Sequence, residues 1–188
     1  MKRIGILGDI GSGKSYVAKK FGYPVFNADQ EVAKLYKKDK VIFKRLKKIL
    51  PKHFNKFPIK KKEITNAILD NKQNLKKIIK IIHLEIKKKL NLFLKKNKDK
   101  KMIILDIPLL LENKINKRGD ILVFVESKKK EILKRLKKRS NYNKKLLAIF
   151  KKIQLSLDYK KKKSNFIIQN DFNDKTAKNH VKIILNHI

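Results

Sequence analysis

Eight consecutive residues near the start of the chain have the types and spacing of a phosphate-binding loop. Gly8 to Ser15 match the pattern G-x-x-x-x-G-K-[ST] and stand between an apolar run and an amphipathic stretch. In such a loop the glycines permit positive φ angles and the backbone amides surround the β-phosphate. Lys14 would reach the β- and γ-phosphate oxygens, and the Ser15 hydroxyl would hold Mg²⁺. The alternative is a glycine turn of purely structural use.

Two carboxylates follow apolar runs and are candidates for the same chemistry. Asp106 ends the run that begins at Met102, and from there it could act on the Mg²⁺ shell of a bound nucleotide. Asp29 follows a shorter run and could accept a proton from an attacking hydroxyl, because phosphoryl transfer needs mainly positioning and charge stabilisation. Each has a structural alternative. Asp106 could be a cap or turn residue before Pro108, and Asp29 the N-cap of a helix that starts at Gln30.

Three further side chains stand out in a chain that uses lysine almost everywhere. Arg135 and Arg139 are four residues apart, so a helix would place both guanidinium groups on one face, where they could contact the transferred phosphate. An exposed pair with no role is the alternative. His83 lies in an isoleucine-rich helical segment, where a histidine is more often a packed or capping residue than a ligand.

The elements that position these residues alternate between strands and helices. We expect strands at 2–7, 24–26, 102–106, 121–125 and 166–169, and helices at 15–21, 127–139, 144–162 and from 173 onward. Ser127 is expected to cap the helix that follows it. This order predicts an α/β fold with a doubly wound parallel sheet, whose ligands bind at the carboxyl ends of the strands. Gly13, Asp29 and Asp106 fall at such ends.

Length and composition predict one folding unit in the cytoplasm. A length of 188 residues suits a single domain, and we interpret the almost wholly helical stretch from about residue 30 to 98 as an insertion within it. The sequence contains no cysteine, which excludes disulfides, thiolate catalysis and cysteine-based zinc sites. The apolar runs are too short for a signal core or a membrane span, because Asp9 and Asp106 interrupt them.

The charge of the chain is strongly positive, but its distribution does not indicate a specific nucleic-acid partner. Lysine and arginine total 52 against 16 acidic residues, a formal net charge of +36. Almost all of the excess is lysine, spread along the chain with isoleucine and asparagine, as a coding bias would produce. Arginine, which phosphate and guanine recognition prefer, is scarce, and no patch combines it with exposed aromatic residues. The run Lys160–Lys163 is interpreted as a solvated helix face.

Three motifs together resemble those of the dephospho-CoA kinase family. Ile4–Ser15 is similar to that family's opening Gly-Leu-Thr-Gly-Gly-Ile-Gly-Ser-Gly-Lys-Ser, Val25–Asp29 to its Asp-Ala-Asp segment, and Asp106–Glu112 to its Asp-x-Pro-Leu-Leu-Phe-Glu. The resemblance extends over essentially the whole chain. It implies a P-loop kinase that uses ATP to phosphorylate the ribose 3′-hydroxyl of dephospho-CoA, the last step of coenzyme A biosynthesis.

The resemblance also implies roles for individual residues. Asp29 would be the base for the ribose hydroxyl, and the segment from about 127 to 162 would form a lid. Asn170, in a segment similar to the family's Ala-Asp-Phe-Val-Ile-x-Asn, would lie near the nucleotide base, and His83–Lys87 resembles the acceptor motif His-Pro-x-Val-Arg. The implied ATP site comprises Gly8, Asp9, Ile10, Gly11, Ser12, Gly13, Lys14, Ser15, Tyr16, Arg135, Arg139 and Asn170. The implied acceptor site comprises Asp29, His83, Lys87, Asp106, Pro108, Leu109, Leu110 and Glu112, while Lys14, Asp29 and Arg139 would be catalytic.

The chain departs from the family's motifs at five positions. Leu84 replaces a proline, and Lys87 replaces an arginine that could make a planar two-point contact, which predicts weaker acceptor binding. Asn27 replaces an aspartate, Tyr16 a threonine and Asp9 a glycine. Asp9 matters most, because a carboxylate in the loop opposes phosphate unless it points outward.

The expected partners are therefore ATP, Mg²⁺ and dephospho-CoA, with no specific nucleic acid and no membrane. We expect a monomer, with a homo-oligomer as the alternative. Two other functions stay open. A nucleoside or nucleotide kinase of related fold is disfavoured by the scarcity of arginine, and a P-loop nucleic-acid-binding protein leaves Asp29 and the Pro108 segment unexplained.

Overall fold

The computed structural model describes residues 1–140 and 142–188, which fall into two compact units. The first, which we call the sheet unit, comprises Met1–Asn27, Asn97–Tyr142 and Ile153–Ile188. The second, the helical unit, comprises Ala28–Lys96 and Asn143–Lys152. In chain order the elements are β1 (Lys2–Gly8), α1 (Lys14–Lys20), β2 (Val25–Asn27), α2 (Ala28–Lys38), α3 (Lys40–Ile49), α4 (Lys61–Asp70), α5 (Gln73–Lys96), β3 (Met102–Asp106), β4 (Ile121–Glu126), α6 (Lys129–Lys137), α7 (Lys144–Lys152), α8 (Leu157–Lys162), β5 (Phe166–Gln169) and α9 (Asp174–His187).

The sheet unit is built on five parallel strands in the order β2-β3-β1-β4-β5. All five residues of β3 are buried, as expected for a parallel strand covered on both faces. One face packs against α1 and α9, where Val17, Ala18 and Val181 meet Ile4 and Ile104 of the sheet. The strand order reverses at β1, so a crevice for ligands is expected at its carboxyl end. The predicted doubly wound parallel sheet is thereby confirmed.

The helical unit consists of α2 to α5 and α7, each with one apolar face. Along α5 the buried residues Ile78, Ile82, Ile86 and Leu90 recur every fourth position, which places them on one stripe of the helix. The lysines between them occupy the other faces, so the lysine-rich composition is compatible with a dry core. Among the helices within the described ranges, none is long and apolar enough to cross a lipid bilayer.

Two of the expected helix boundaries are wrong. The single helix expected over 144–162 is divided into α7 and α8, and Ser156 caps α8 by accepting a hydrogen bond from the Tyr159 amide at 3.2 Å. Ser127 does not cap α6, whose N-cap position is Lys128. The lysine-rich helical pattern continues across the break between α7 and α8 and across the start of α6. The pattern alone could therefore not locate these two boundaries.

The predicted insertion and lid stay predictions, but the units divide the chain in a related way. The helical unit begins at Ala28 and runs to Lys96, close to the expected limits of about 30 and 98. It also includes Asn143–Lys152, which lies in the middle of the segment that was expected to form the lid.

Candidate active site

The phosphate-binding loop leaves the central strand β1 at Gly8 and enters α1 at Lys14. Gly8, Gly11 and Gly13 have φ angles of 144°, 89° and 93°, at which a side chain would be strained. At Gly13 a Cβ atom would also collide with the Asn170 side chain. This position therefore requires glycine both for its backbone angle and for space.

The charged side chains of the loop bond to the loop itself. Lys14 Nζ donates to the carbonyl oxygens of Gly8 at 3.2 Å and Asp9 at 2.7 Å, so the ammonium group lies over the loop. The Asp9 carboxylate accepts a hydrogen bond from the next amide, that of Ile10, at 2.7 Å. Asp9, which departs from the family motif, therefore occupies the Ile10 amide in this conformation. Because that amide is already bonded, the amides further along the loop become more important for binding phosphate.

Asp106 lies in a small polar cluster at the carboxyl end of the sheet. Asn27 and Asp106 are directly paired in the register of β2 and β3. The side-chain amide of Asn27 donates to the Asp106 carboxylate at 2.5 Å and to Ser15 Oγ at 3.4 Å. Asp106 is only 3% exposed, and this burial raises the pKa of its carboxyl group. A hydrogen bond from Ser15, the charge of Lys14 and the amide of Asn27 act against that rise.

This cluster fits a magnesium ion that is shared with a nucleotide. The Ser15 hydroxyl and the Asp106 carboxylate are hydrogen-bonded to each other, and both are the hard oxygen donors that Mg²⁺ prefers. Mg²⁺ is commonly held by one or two carboxylates together with substrate phosphates. Across residues 1–140 and 142–188, no group of three or more His, Cys, Asp or Glu side chains could hold a metal by itself.

The carbonyl oxygen of Ser12, inside the loop, accepts two side-chain hydrogen bonds. Ser127 Oγ donates to it at 2.9 Å and Asn170 Nδ2 at 2.8 Å. Ser127 directly follows β4 and Asn170 directly follows β5, so both donors come from strand ends. Sequence reasoning missed this role of Ser127. The available signal was a hydroxyl two residues beyond one predicted strand, 121–125, and a side-chain amide one residue beyond another, 166–169.

The structure corrects the interpretation of the two arginines. Helix α6 ends at Lys137, so Arg139 lies beyond it and does not share a helical face with Arg135. The Arg135 guanidinium lies 4.1 Å from the centre of the Phe172 ring, a cation–π contact. Phe172 has a φ angle of 66°, unusual for a residue with a side chain, and its amide donates to Asn170 Oδ1 at 3.1 Å.

The segment after β3 forms a turn that packs onto the sheet rather than opening to solvent. Leu110 is fully buried, and its side chain occupies the space above Gly5, while Pro108 and Leu109 are half-buried. The Glu112 carboxylate makes an ion pair with Lys160 at 2.7 Å and accepts the Leu155 amide at 3.0 Å.

The Glu112–Lys160 ion pair shows that the run Lys160–Lys163 is not uniformly solvated. The side chain of Lys160 is 1% exposed and that of Glu112 is 9% exposed. Lys161 is also engaged, donating to the Glu126 carboxylate at 2.8 and 3.0 Å. The prediction of a solvated face is therefore wrong for Lys160, because a lysine that meets a buried carboxylate can itself be buried.

The other ATP-site candidate, Tyr16, points toward α9. Its hydroxyl donates to Asp174 at 2.5 Å, and Lys20 pairs with the same carboxylate. This hydrogen bond to Asp174 is the main cause that raises the pKa of Tyr16. In this conformation Tyr16 joins two helices of the sheet unit.

The remaining candidates lie in the helical unit. Asp29 is the second residue of α2 and exposed, so it is not the N-cap of a helix starting at Gln30. His83 is half-buried and Lys87 is exposed, and both lie one turn apart on α5, which continues without interruption through Leu84. Their roles in binding the acceptor stay predictions.

The parallel sheet, the loop between β1 and α1, and the carboxylate at the end of β3 define a P-loop kinase. Solved structures share this fold. A Thermus thermophilus protein matches with a TM-score of 0.76 and 23% identity over 100% of this chain and 97% of that one. A dephospho-CoA kinase from Campylobacter jejuni matches with a TM-score of 0.64 and 20% identity over 99% and 96% of the two chains.

Sequence similarity then identifies the family. The sequence model of the dephospho-CoA kinase family matches residues 2–176. A dephospho-CoA kinase of Wolbachia pipientis wMel is 34% identical over 190 residues, covering 98% of this chain and 97% of the relative. The chain therefore belongs to the dephospho-CoA kinase family, as the sequence motifs predicted.

Proposed function

We propose that this protein transfers the γ-phosphoryl group of ATP to the ribose 3′-hydroxyl of dephospho-CoA, giving coenzyme A and ADP. The observation that carries the proposal is the arrangement at the carboxyl end of the sheet. There the phosphate-binding loop, the Lys14 ammonium, the Ser15 hydroxyl and the buried Asp106 carboxylate lie together, in a chain of this family.

The sheet unit would bind the nucleotide. The loop amides of Gly11, Gly13, Lys14 and Ser15 would surround the β-phosphate. The Lys14 ammonium would leave its carbonyl partners to reach the β- and γ-oxygens. Ser15 and Asp106 would hold Mg²⁺, which when bound neutralises charge that develops on the phosphates. Arg135 and Arg139 are exposed and would neutralise further charge on the transferred group.

The helical unit would supply the groups that act on the acceptor. Asp29 would take the proton from the 3′-hydroxyl while its oxygen forms a bond to the γ-phosphorus and the bond from that phosphorus to the bridging oxygen of ADP breaks. His83 and Lys87 would contact dephospho-CoA through one face of α5.

The direct test is a coupled assay of ADP release with ATP, Mg²⁺ and either dephospho-CoA or a panel of nucleosides. We expect turnover with dephospho-CoA and none with the nucleosides. Lys14→Met protein, purified identically, controls for a contaminating kinase. Turnover with nucleosides alone would replace the proposal by a nucleoside kinase, and mass spectrometry of the product would locate the phosphate on the ribose.

The cytoplasmic location, the monomeric state and the absence of a specific nucleic-acid partner are also parts of the proposal. The charge of +36 predicts binding to DNA at low salt, because lysines release counterions from the phosphate backbone. We expect this binding to disappear by roughly 0.5 M salt. Binding that persists above that concentration would favour the nucleic-acid alternative.

A further inference from the structure

We propose that Ser127 and Asn170 are positioning residues that aim the backbone amide of Gly13 at the bound phosphate. The proposal deepens the function proposed above and rests on it. It starts from the two hydrogen bonds that the Ser12 carbonyl oxygen accepts, from Ser127 Oγ at 2.9 Å and from Asn170 Nδ2 at 2.8 Å.

The planar peptide between Ser12 and Gly13 connects these bonds to the phosphate site. In a trans peptide the C=O and the N–H point in opposite directions. Fixing the Ser12 carbonyl toward the ends of β4 and β5 therefore turns the Gly13 amide to the opposite side of the loop. Gly13 has a φ angle of 93°, which only glycine adopts without strain. Because glycine permits several orientations of the Ser12–Gly13 peptide, contacts from other side chains are needed to select this one.

The Asn170 donor is itself held firmly. The backbone amide of Asn170 donates to the Glu126 carbonyl at 2.7 Å, which joins the ends of β4 and β5. Asn170 is 4% exposed, and its Oδ1 accepts the Phe172 amide, which fixes which end of the side-chain amide faces Ser12. The Asn170 side chain also occupies the space beside Gly13.

The Gly13 amide contributes more to phosphate binding in this chain than the composition of the loop alone indicates. The Ile10 amide is bonded to the Asp9 carboxylate, and the Ser12 amide to the Asp9 carbonyl at 3.2 Å. Tyr16 makes the first hydrogen bond within the helix, to the Gly13 carbonyl at 3.0 Å, so Gly13 precedes the amides that the helix uses. A donor aimed in advance binds an anion without the cost of reorganising the loop.

The test measures ADP binding by calorimetry, without an acceptor, for Ser127→Ala, Asn170→Ala and the double variant. Because either donor still fixes the carbonyl when the other is lost, we expect the Kd for ADP to rise about threefold in each single variant. In the double variant we expect about thirtyfold, beyond the roughly ninefold that independent effects would give. Ser127→Thr, which keeps the hydroxyl, should restore wild-type binding.

A matched control is available in the same unit. Ser164 Oγ donates to the Lys160 carbonyl at 2.9 Å, so Ser164→Ala removes a hydroxyl–carbonyl bond of the same kind away from the loop. We expect it to leave the Kd for ADP unchanged. A change as large as that of Ser127→Ala would overturn the proposal, because general loosening of the unit would then explain both.

A second measurement reports on the peptide itself. Of the six glycines, only Gly13 follows a serine, so labelling with ¹³C-carbonyl serine and ¹⁵N-glycine gives a single correlation for the Ser12–Gly13 peptide. We expect ADP to shift the Gly13 amide strongly downfield in the wild type. In Ser127→Ala the Ser12 carbonyl resonance should move and the response of the amide to ADP should fall.

The outcomes separate the two proposals. If wild-type protein does not bind ADP, the proposed kinase function fails, and this inference fails with it. If wild-type protein binds ADP and the folded double variant binds it equally well, with the same amide shift, only the positioning role is overturned. Should the double variant unfold, Ser127→Ala decides through the two resonances, and unchanged resonances would overturn the proposal.

Discussion

The sheet unit and the helical unit differ in where they keep the polar groups that chemistry needs. Among the described residues, the buried polar or charged side chains are Ser12, Asn74, Asp106, Lys160 and Asn170, of which only Asn74 belongs to the helical unit. Asn74 bonds to the Ala67 carbonyl of a neighbouring helix and has no place in the candidate site. Of the candidates in the helical unit, Asp29 and Lys87 are exposed and His83 is half-buried.

This difference suits the parts of the reaction that we propose for the two units. Buried polar groups are costly unless they are bonded. The side chains of Asp106, Lys160 and Asn170 all have bonded partners that hold them in place, and a site built from such groups is preorganised. Exposed carboxylates and lysines contribute little to folding and can adapt to a large flexible acceptor. Substitutions in the sheet unit should therefore affect nucleotide binding or stability, and substitutions in the helical unit should affect turnover or acceptor binding.

The largest effect is expected from Lys14→Met. Removing the ammonium that is proposed to reach the phosphates should lower kcat/KM for ATP by roughly 10³-fold, as loss of one donor to the charge of the transition state does. Lys19→Met, at an exposed position on the same helix, is the control and should behave as wild type. Steady-state kinetics check both variants, and a loss of less than about tenfold would remove Lys14 from the catalytic set.

Lys160→Met should have the largest effect on stability. It leaves the Glu112 carboxylate buried without its cation, which costs about 3 kcal/mol of unfolding free energy when such a pair is broken. Lys162→Met, two residues away and exposed, should change the stability by less than about 0.5 kcal/mol. Urea denaturation measures both values. Equal values would show that burial of Lys160 does not depend on the ion pair.

Asp29→Asn tests the helical unit. With the base neutralised, kcat should fall by roughly 10²-fold, while the Kd for ATP stays near that of wild type. Single-turnover kinetics and calorimetry separate the two quantities. A loss of ATP affinity would assign Asp29 to the metal or to folding and would weaken the contrast between the units.

Asp106→Asn should raise the free energy of unfolding, whereas Lys160→Met lowers it, and the effect should be smaller. Burial raises the pKa of Asp106 in the folded state, so the ionised carboxylate lowers stability once the pH rises above that pKa. The amide removes this cost and should raise the stability at pH 8, while the proposed Mg²⁺-dependent activity should be lost. The difference from wild type should shrink as the pH falls through the folded pKa. A variant less stable at every pH would contradict this.

The sequence predicted well whatever depended on residues that are close together in the chain. The apolar runs of β1 and β3, the loop from Gly8 to Ser15 and the carboxylate at residue 106 each carry their own local pattern. The parallel sheet followed from the alternation of strands and helices. These features lie in the sheet unit, where burial on both faces gives strands a strong signal.

The parts that could not be predicted depend on partners distant in the chain. Asn27 looked like a departure from a motif, but strand register sets it beside Asp106. Lys160 looked like one more solvated lysine until its buried partner Glu112 was known. The contact of Ser127 with Ser12 is of the same kind, because no local pattern encodes it.

The contact between Asn170 and Ser12 spans 158 residues of sequence. The residues of β1 and its following loop are made first, but β1 pairs only after β3 and β4 have been made, and the loop acquires its last anchor only after β5 has paired with β4. Nucleotide affinity should therefore appear late in synthesis. A fragment that stops short of residue 170 should fold much of its sheet but bind ADP weakly. Binding of ADP by stalled nascent chains would then mark the moment at which the sheet is complete.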